Sequence, residues 1–375
     1  MNIGFDAKRI VQNATGLGNY GRYAIEILSR LYPDNHYFLF APKQKKNDRL
    51  DGLHSRANVS FVFPKGIDRI IPTIWRTFGI WKDSATVKLS VFHGLSNELP
   101  VGIRRSKIKS VVSIHDLIFM RYPDFYNPID RLIYRWKFQR ACRIADKIIA
   151  VSESTKRDII SFFSIPEDKI HVVYQGCHLQ FSQAVTDVKK LEIRDKYNLP
   201  RRFLLYVGSI ESRKNLLLAV KTLNRLPGDF HLVAIGKATT YQAKVEAYAR
   251  QSGLESRLHI RNDFQFSDLP AVYQSASVFI YPSFFEGFGI PVIEALSSGV
   301  PVIAATGSCL EEAGGPDSVY VNPEDDRELA ERILEIVNDD SLANRMIEAG
   351  KIYVKRFSDE QIASEFIRIY QTLDS

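Results

Sequence analysis

The chain has 375 residues, 45% of them hydrophobic and 25% charged, which fits a soluble protein large enough for two domains. No apolar run approaches the roughly 18 residues that a spanning helix needs. The three cysteines, Cys142, Cys177 and Cys309, are odd in number and far apart. They argue against a disulfide framework and a cysteine metal site. The net charge of +7 is uneven: residues 1–175 carry 28 Lys+Arg against 16 Asp+Glu, and residues 176–375 carry 22 against 27. The first half is either an ordinary basic surface or faces something anionic: a phosphate, a lipid surface or nucleic acid.

The start, M-N-I-G-F-D-A-K-R, puts Asp6 where a secretion signal needs an apolar core. Asn2 is not a myristoylation site. The expectation is a cytoplasmic protein.

Asn2–Phe5 is a short apolar strand. After a loop comes G-L-G-N-Y-G, Gly16 to Gly21, opening a helix through Leu31. The G-x-G-x-x-G pattern raises a dinucleotide site. Two features argue against it. About ten residues separate the strand from the first glycine, where that fold needs a tight turn. The next strand, His36–Phe40, ends in A-P-K-Q-K-K without an acidic residue for a ribose. The remaining readings are a glycine loop whose N–H groups approach a ligand in a cleft, and a surface loop.

Apolar runs at Val59–Phe63, Leu89–Phe92, Ser110–Ile114, Lys147–Val151 and Ile170–Val173 alternate with helical patterns, which predicts a parallel sheet. Residues 64–82 carry Trp75 and Trp81 among Lys65, Arg69, Arg76 and Lys82. That composition fits a helix on an anionic bilayer or a helix packed on the sheet. His115 and Asp116 follow a strand and are expected in the cleft, where the imidazole can bond a sugar hydroxyl. The aromatic loop Phe119–Asn127 is a candidate acceptor groove, with Tyr20, Asp116 and Tyr122 as acceptor contacts. The helix Ile129–Ala145 places Ile129, Leu132, Ile133 and Trp136 on one face, expected to pack in the core. Ser152 is expected to cap the helix after Val151.

Gln175–Asp187 reads as an interdomain linker. A second alternation follows. Arg202–Gly208 is a buried strand ending in S-I-E-S-R-K-N-L, with Arg213 and Lys214 expected at the start of a helix through Leu226. Two cations at a strand end can clamp a diphosphate. Phe230–Ile235 and Leu258–Ile260 are strands. The loop after the second, Arg261–Phe264, is a candidate holder of a base edge. Ser267–Ser275 reads as a helix. Ser277–Tyr281 is a buried strand, followed by S-F-F-E-G-F-G-I-P-V-I-E-A. Glu286 falls in that loop, and Glu294 about one turn inside a helix with proline at its first turn and glycine at its end. Open α/β sheets bind ligands at such a place, and N–H groups at a helix start face anions well. Val300–Ala304 is a further strand, ending in A-T-G-S-C-L-E-E. Three helical patterns close the chain: Pro323–Asn338, Ser341–Val354 and Asp359–Leu373.

G-S-I-E-S-R-K-N-L followed by E-G-F-G-I-P-V-I-E-A resembles the nucleotide-sugar site of GT-B glycosyltransferases. The E-x7-E spacing of Glu286 and Glu294 is similar to that of retaining enzymes in glycosyltransferase family 4. The glycine loop, the Ser113–Asp116 run and A-V-S-E-S-T also match, so the likeness covers nearly the whole chain. I-H-D-L looks most like mannosyltransferases of bacterial surface-polysaccharide synthesis.

The resemblance implies an α/β fold with two Rossmann-like domains whose parallel sheets face across a cleft. The first, residues 1–174, would bind acceptor. The second, 175–357, would bind the nucleotide sugar. The C-terminal helix, 358–375, would cross back to the first. It implies a hexose, mannose from GDP-mannose by the narrower likeness, passed to a saccharide or lipid-linked saccharide. Arg213 and Lys214 would neutralise the diphosphate. Glu286 and His115 would hold donor-sugar hydroxyls, and Glu294 the ribose. Gly16, Gly18, Ser209, Arg261, Phe264, Gly287, Phe288, Gly289 and Ile290 complete the expected donor contacts. No cofactor or metal is expected. Contact with the inner face of the cytoplasmic membrane would explain the basic first half. Front-face attack and a covalent Glu286 adduct both remain open. The competing functions are a sugar-nucleotide epimerase or phosphorylase on the same fold, and a basic nucleic-acid-binding protein, for which no binding module is visible.

Overall fold

The computed structural model describes residues 1–13, 16–44, 48–80, 82–83 and 87–374. The sequence expectations for Trp81, Lys45 and Lys46 lie outside them. Contacts divide the chain into two units, Met1–Gln175 with Ser358–Ser375, and Gly176–Phe357.

The first unit is a seven-stranded parallel sheet. Its strands are β1 (Asn2–Asp6), β2 (His36–Phe40), β3 (Val59–Val62), β4 (Val91–Gly94), β5 (Lys109–Ile114), β6 (Lys147–Ala150) and β7 (Ile170–Val172). Their order is β3-β2-β1-β4-β5-β6-β7, so the winding direction reverses between β1 and β4. The second unit is a six-stranded parallel sheet of β8 (Phe203–Val207), β9 (His231–Ile235), β10 (Leu258–Arg261), β11 (Val278–Tyr281), β12 (Val302–Ala305) and β13 (Val319–Val321). Its order, β10-β9-β8-β11-β12-β13, reverses between β8 and β11. Crevices at such reversals, beyond the strands' C-terminal ends, are where doubly wound sheets take ligands. The loops after β8 and β11 carry Arg213, Lys214 and Glu286.

The central strands are buried on both faces, which is why they read as unbroken apolar runs: β8 is F-L-L-Y-V and β11 is V-F-I-Y. The C-terminal helix Asp359–Asp374 packs in the first unit against helix Gly16–Leu31. Asp359 accepts from Tyr23 at 2.7 Å and pairs with Arg30, while Phe366 and Tyr370 flank His93.

Several local expectations need correction. Residues 64–80 do not form one helix. They fold as a turn Gly66–Arg69 and then a helical stretch that starts at Pro72, because proline can only begin it, and widens to π geometry over Trp75–Gly79. Trp75 is buried and its indole donates to Asp83 at 2.7 Å. The helix Pro128–Ile144, capped by Asn127, exposes Ile129, Leu132, Ile133 and Trp136 instead of packing them in the core. The run after β10 is a tight turn, Phe266–Asp268, and a one-turn helix Leu269–Tyr273, with Ser267 in the turn and not a cap. Arg213 and Lys214 sit in a tight turn, Ser212–Lys214. The helix begins after left-handed Asn215 (φ +56°) and runs only Leu216–Thr222.

Candidate active site

In the second unit the loop after β11 is stitched to the turn after β8. The Phe284 amide donates to the Arg213 carbonyl at 3.0 Å. Asn215 Nδ2 donates to the Pro282 carbonyl at 3.2 Å, and the Arg213 guanidinium to the Phe285 carbonyl. The loop after β9 joins them. A Cβ on Gly236 would fall 1.8 Å from the Gly208 carbonyl oxygen, so that position admits only glycine.

Glu286 stands at the centre of this cluster. Its Oε1 accepts from Ser283 at 2.9 Å and Tyr281 at 3.1 Å, and lies 3.0 Å from Arg213 and 3.2 Å from Lys214. Lys214 also donates to the Tyr281 hydroxyl at 2.7 Å. Oε2 receives none of these contacts. Burial alone would raise the carboxyl pKa, but Lys214, Arg213 and the Ser283 hydrogen bond outweigh it and hold it down at about 2. Glu286 is therefore ionised at neutral pH and cannot serve as a general acid there. Burial acts to lower the Arg213 pKa, and Glu286 reverses this, leaving the guanidinium firmly charged. Two cations face two carboxylates here, the buried Glu286 and the half-exposed Glu211, whose Oε2 lies 3.7 Å from Arg213, and paired cations at a strand end suit a ligand with more than one negative charge.

The helix Ile290–Ser297 starts directly after the loop. Gly289 precedes it at φ +124°, a conformation closed to side chains, and a Cβ there would also approach Leu310 to 2.9 Å. Glu294, on this helix, is buried and takes one hydrogen bond, from the Tyr273 hydroxyl at 2.9 Å. With no cation beside it among the described residues, burial pushes its pKa up to about 7, and the Tyr273 hydrogen bond only partly opposes this. The two glutamates thus have opposite electrostatics.

Cys309 was not foreseen. Its thiol is buried and lies 2.9 Å from the Glu286 carbonyl and 3.1 Å from that of Phe288, clamping the loop from behind. Spacing alone gives no such signal. The only hint is its place in the loop after a buried strand. Tyr281, Ser283, Tyr273 and Asn215 were missed for the same reason. Among the described residues, no three His, Cys, Asp or Glu side chains are grouped to hold a metal ion.

Other expected donor contacts are more dispersed. Ser209 is 2.5 Å from Glu211. Phe288 is buried against Phe357. Arg261 donates to the Tyr197 carbonyl at 2.8 Å, and Phe264 stacks on the Tyr197 ring at 3.6 Å. These two are organised around Tyr197.

In the first unit, His115 follows β5 and is buried. Its backbone N–H donates to Asn97 Oδ1 at 2.9 Å, and Nε2 lies 2.9 Å from the Leu95 carbonyl. A carbonyl only accepts, so Nε2 carries the proton and Nδ1 is the acceptor nitrogen. Burial lowers the His115 pKa to about 4, partly offset by that carbonyl, so the ring is neutral. The Tyr20 ring edge meets it at 4.6 Å, and the Tyr20 hydroxyl is 2.9 Å from Ser113. Asp116 accepts from the Ile118 amide at 3.1 Å, opening the short helix Ile118–Arg121. Tyr122 packs near Phe125. Gly16 begins its helix in open space. A Cβ on Gly18 would fall 2.0 Å from the Asn13 carbonyl oxygen, so Gly18 answers to the chain's own packing.

Known proteins place this architecture. The second unit's region, residues 189–353, matches the family model Glycosyl transferases group 1, and residues 20–181 match Glycosyltransferase Family 4. The chain belongs to these glycosyltransferases, and its fold is GT-B. It is a hexosyltransferase. It is 28% identical over 289 residues to O-antigen chain mannosyltransferase B of Escherichia coli, spanning 76% of this chain and 74% of the relative. It is 24% identical to O-antigen chain mannosyltransferase RfbU of Salmonella typhimurium, over 69% of each. A solved structure of HepE from Anabaena with UDP-glucose superposes with a TM-score of 0.78 at 16% identity, covering 99% of this chain and 100% of that one. Sucrose-phosphate synthase from Thermosynechococcus elongatus gives 0.78 at 19% identity, covering 100% and 99%.

Proposed function

We propose that the enzyme transfers mannose, with retention, from a nucleotide-diphosphate mannose to a saccharide or lipid-linked saccharide in surface-polysaccharide synthesis. The relatives named for O-antigen mannosyl transfer support the sugar and the pathway class. The observation that carries the reading is the Arg213, Lys214 and Glu286 cluster at the sheet's switch point.

In this reading Arg213 and Lys214 take the diphosphate, together with the N–H groups at Gly289 and Ile290. Charge grows on the diphosphate as the glycosyl bond breaks, so fixed cations favour the transition state over the ground state. Glu286 Oε2 accepts a donor-sugar hydroxyl, and Glu294 the ribose hydroxyls. In the first unit, His115 Nδ1 accepts a sugar hydroxyl, Tyr20 fixes the His115 ring, and Asp116 and Tyr122 meet the acceptor. The four contacts on Glu286 Oε1 reduce its nucleophilicity and support front-face attack. The acceptor oxygen bonds to the anomeric carbon, the carbon–oxygen bond to the diphosphate breaks, and the acceptor proton passes to the departing phosphate oxygen. No metal is needed in this scheme, because the two cations and the helix start meet the charge.

The test is transfer from a panel of nucleotide sugars to a lipid-linked saccharide acceptor, with anomeric configuration read by NMR. Mannose transfer with retention is the expected result. Inversion, or turnover only with inorganic phosphate, would reject the reading.

A further inference from the structure

No helix in the described residues is long and apolar enough to cross a membrane. The first unit nonetheless exposes two apolar stripes. On residues 66–79, Ile67 is 79% exposed, Ile70 77%, Ile71 49%, Ile74 52% and Phe78 54%. On helix Pro128–Ile144, Ile129 is 67% exposed, Leu132 68%, Ile133 44% and Trp136 62%. The second stripe recurs at intervals of three and four residues, the spacing of one helical face, and the first runs from the turn Gly66–Arg69 onto the helical stretch that starts at Pro72. A folded surface scatters such side chains singly, so their concentration calls for a cover.

The stripes adjoin. Arg76 pairs with Glu98 Oε2 at 3.0 Å and Lys137 with Glu98 Oε1 at 3.1 Å, so one carboxylate ties both segments. The Val101 amide donates to the Thr77 carbonyl at 2.8 Å, and Arg140 donates to the Val101 carbonyl at 3.0 Å. Val101 is itself exposed between them.

Cations outnumber carboxylates around the patch. Residues 64–80 hold Lys65 and Arg69 against Asp68, and residues 128–144 hold Arg131, Arg135, Arg140 and Arg143 against Asp130, while Arg76 and Lys137 are matched by Asp6 and Glu98. A second copy of the chain, docked about a two-fold axis, would set these cations against their own counterparts. An anionic lipid surface attracts them and takes up the apolar side chains. We propose that this face, centred on Ile70, Ile74, Leu132 and Trp136, docks on an anionic bilayer. The proposal deepens the membrane-linked acceptor of the reading above and rests on it, but its test does not use transfer.

The test is flotation of the full chain with phosphatidylcholine vesicles, with and without phosphatidylglycerol. The chain should float with anionic vesicles only, and salt should release it. Leu132→Asp with Trp136→Ala, and separately Ile70→Asp with Ile74→Asp, should each lower partitioning at least about tenfold. Exposed positions should leave the thermal midpoint and nucleotide-sugar binding unchanged. Wild-type chain that ignores anionic vesicles, or variants that float equally well, would overturn the proposal. So would a wild-type dimer that the substitutions turn into monomers, which would assign the face to a second copy. Loss of nucleotide-sugar binding in the wild type would instead count against the transferase reading.

Discussion

Arg213 and Glu286 form an ion pair of 3.0 Å between the ends of two neighbouring strands, and Lys214 approaches the same carboxylate oxygen to 3.2 Å. The pair gives Arg213 two tasks. It supplies charge to the cluster, and its guanidinium holds the loop through the Phe285 carbonyl. Arg213→Ala should therefore cost stability as well as transfer, on the order of 3 kcal/mol, because it strips one partner from a buried carboxylate and also removes the tie to the Phe285 carbonyl. Lys214→Ala leaves that pair intact. It should slow transfer by about 10²–10³-fold with a much smaller shift of the urea midpoint. Equal stability losses in the two variants would contradict this division.

Glu286→Gln keeps the shape and removes the charge. Transfer should fall by at least about a hundredfold while the fold persists. Because the folded pKa lies near 2 and the unfolded one near 4.5, Glu286 adds stability above pH 4.5 that is lost as pH falls toward 2. The Gln variant should lose less stability over that acid range than wild type does, as followed by urea denaturation.

Glu294 has the opposite sign. Its pKa rises from 4.5 to about 7 on folding, so its contribution is full below pH 4.5 and is lost as pH rises to about 7. The change is on the order of 3 kcal/mol at most. Glu294→Gln should flatten urea-denaturation stability across that window. A variant with the wild-type slope would refute a buried carboxylate held by the Tyr273 hydrogen bond without a cation.

The fold was largely legible because buried parallel strands are apolar runs of four or five residues, and ten or more of them alternate with helices. β13 escaped because S-V-Y-V-N is short and half-polar. Leu89 drew the β4 expectation two residues early, since its side chain packs in the core just ahead of the strand. Glu286 and the two cations were legible as types at strand ends, and Glu294 as a carboxylate in the helix that follows. Their pairing was not, since Arg213 meets Glu286 only after β8 and β11 lie side by side. Helical spacing likewise marked the Ile129–Trp136 face as apolar but could not say whether anything covers it.

Tyr370 on the C-terminal helix sits 2.7 Å from His93 Nδ1, and His93 Nε2 is 2.9 Å from Ser113, whose hydroxyl also meets Tyr20. Burial first, and His115 second, lower the His93 pKa to about 3, so this chain is neutral. Tyr370→Phe leaves one ring nitrogen without its partner and should cost about 1–3 kcal/mol, read as a lower urea midpoint. An unchanged midpoint would show that this hydrogen bond adds nothing to the hold on the C-terminal helix.

The central claim is that Lys214 and Arg213 bind the diphosphate of a nucleotide sugar. Titration calorimetry of GDP-mannose against wild-type chain and Lys214→Ala tests it most directly. The account predicts binding by the wild type and at least about tenfold weaker binding by a variant that melts at nearly the same temperature. Equal affinity in the two proteins would contradict it.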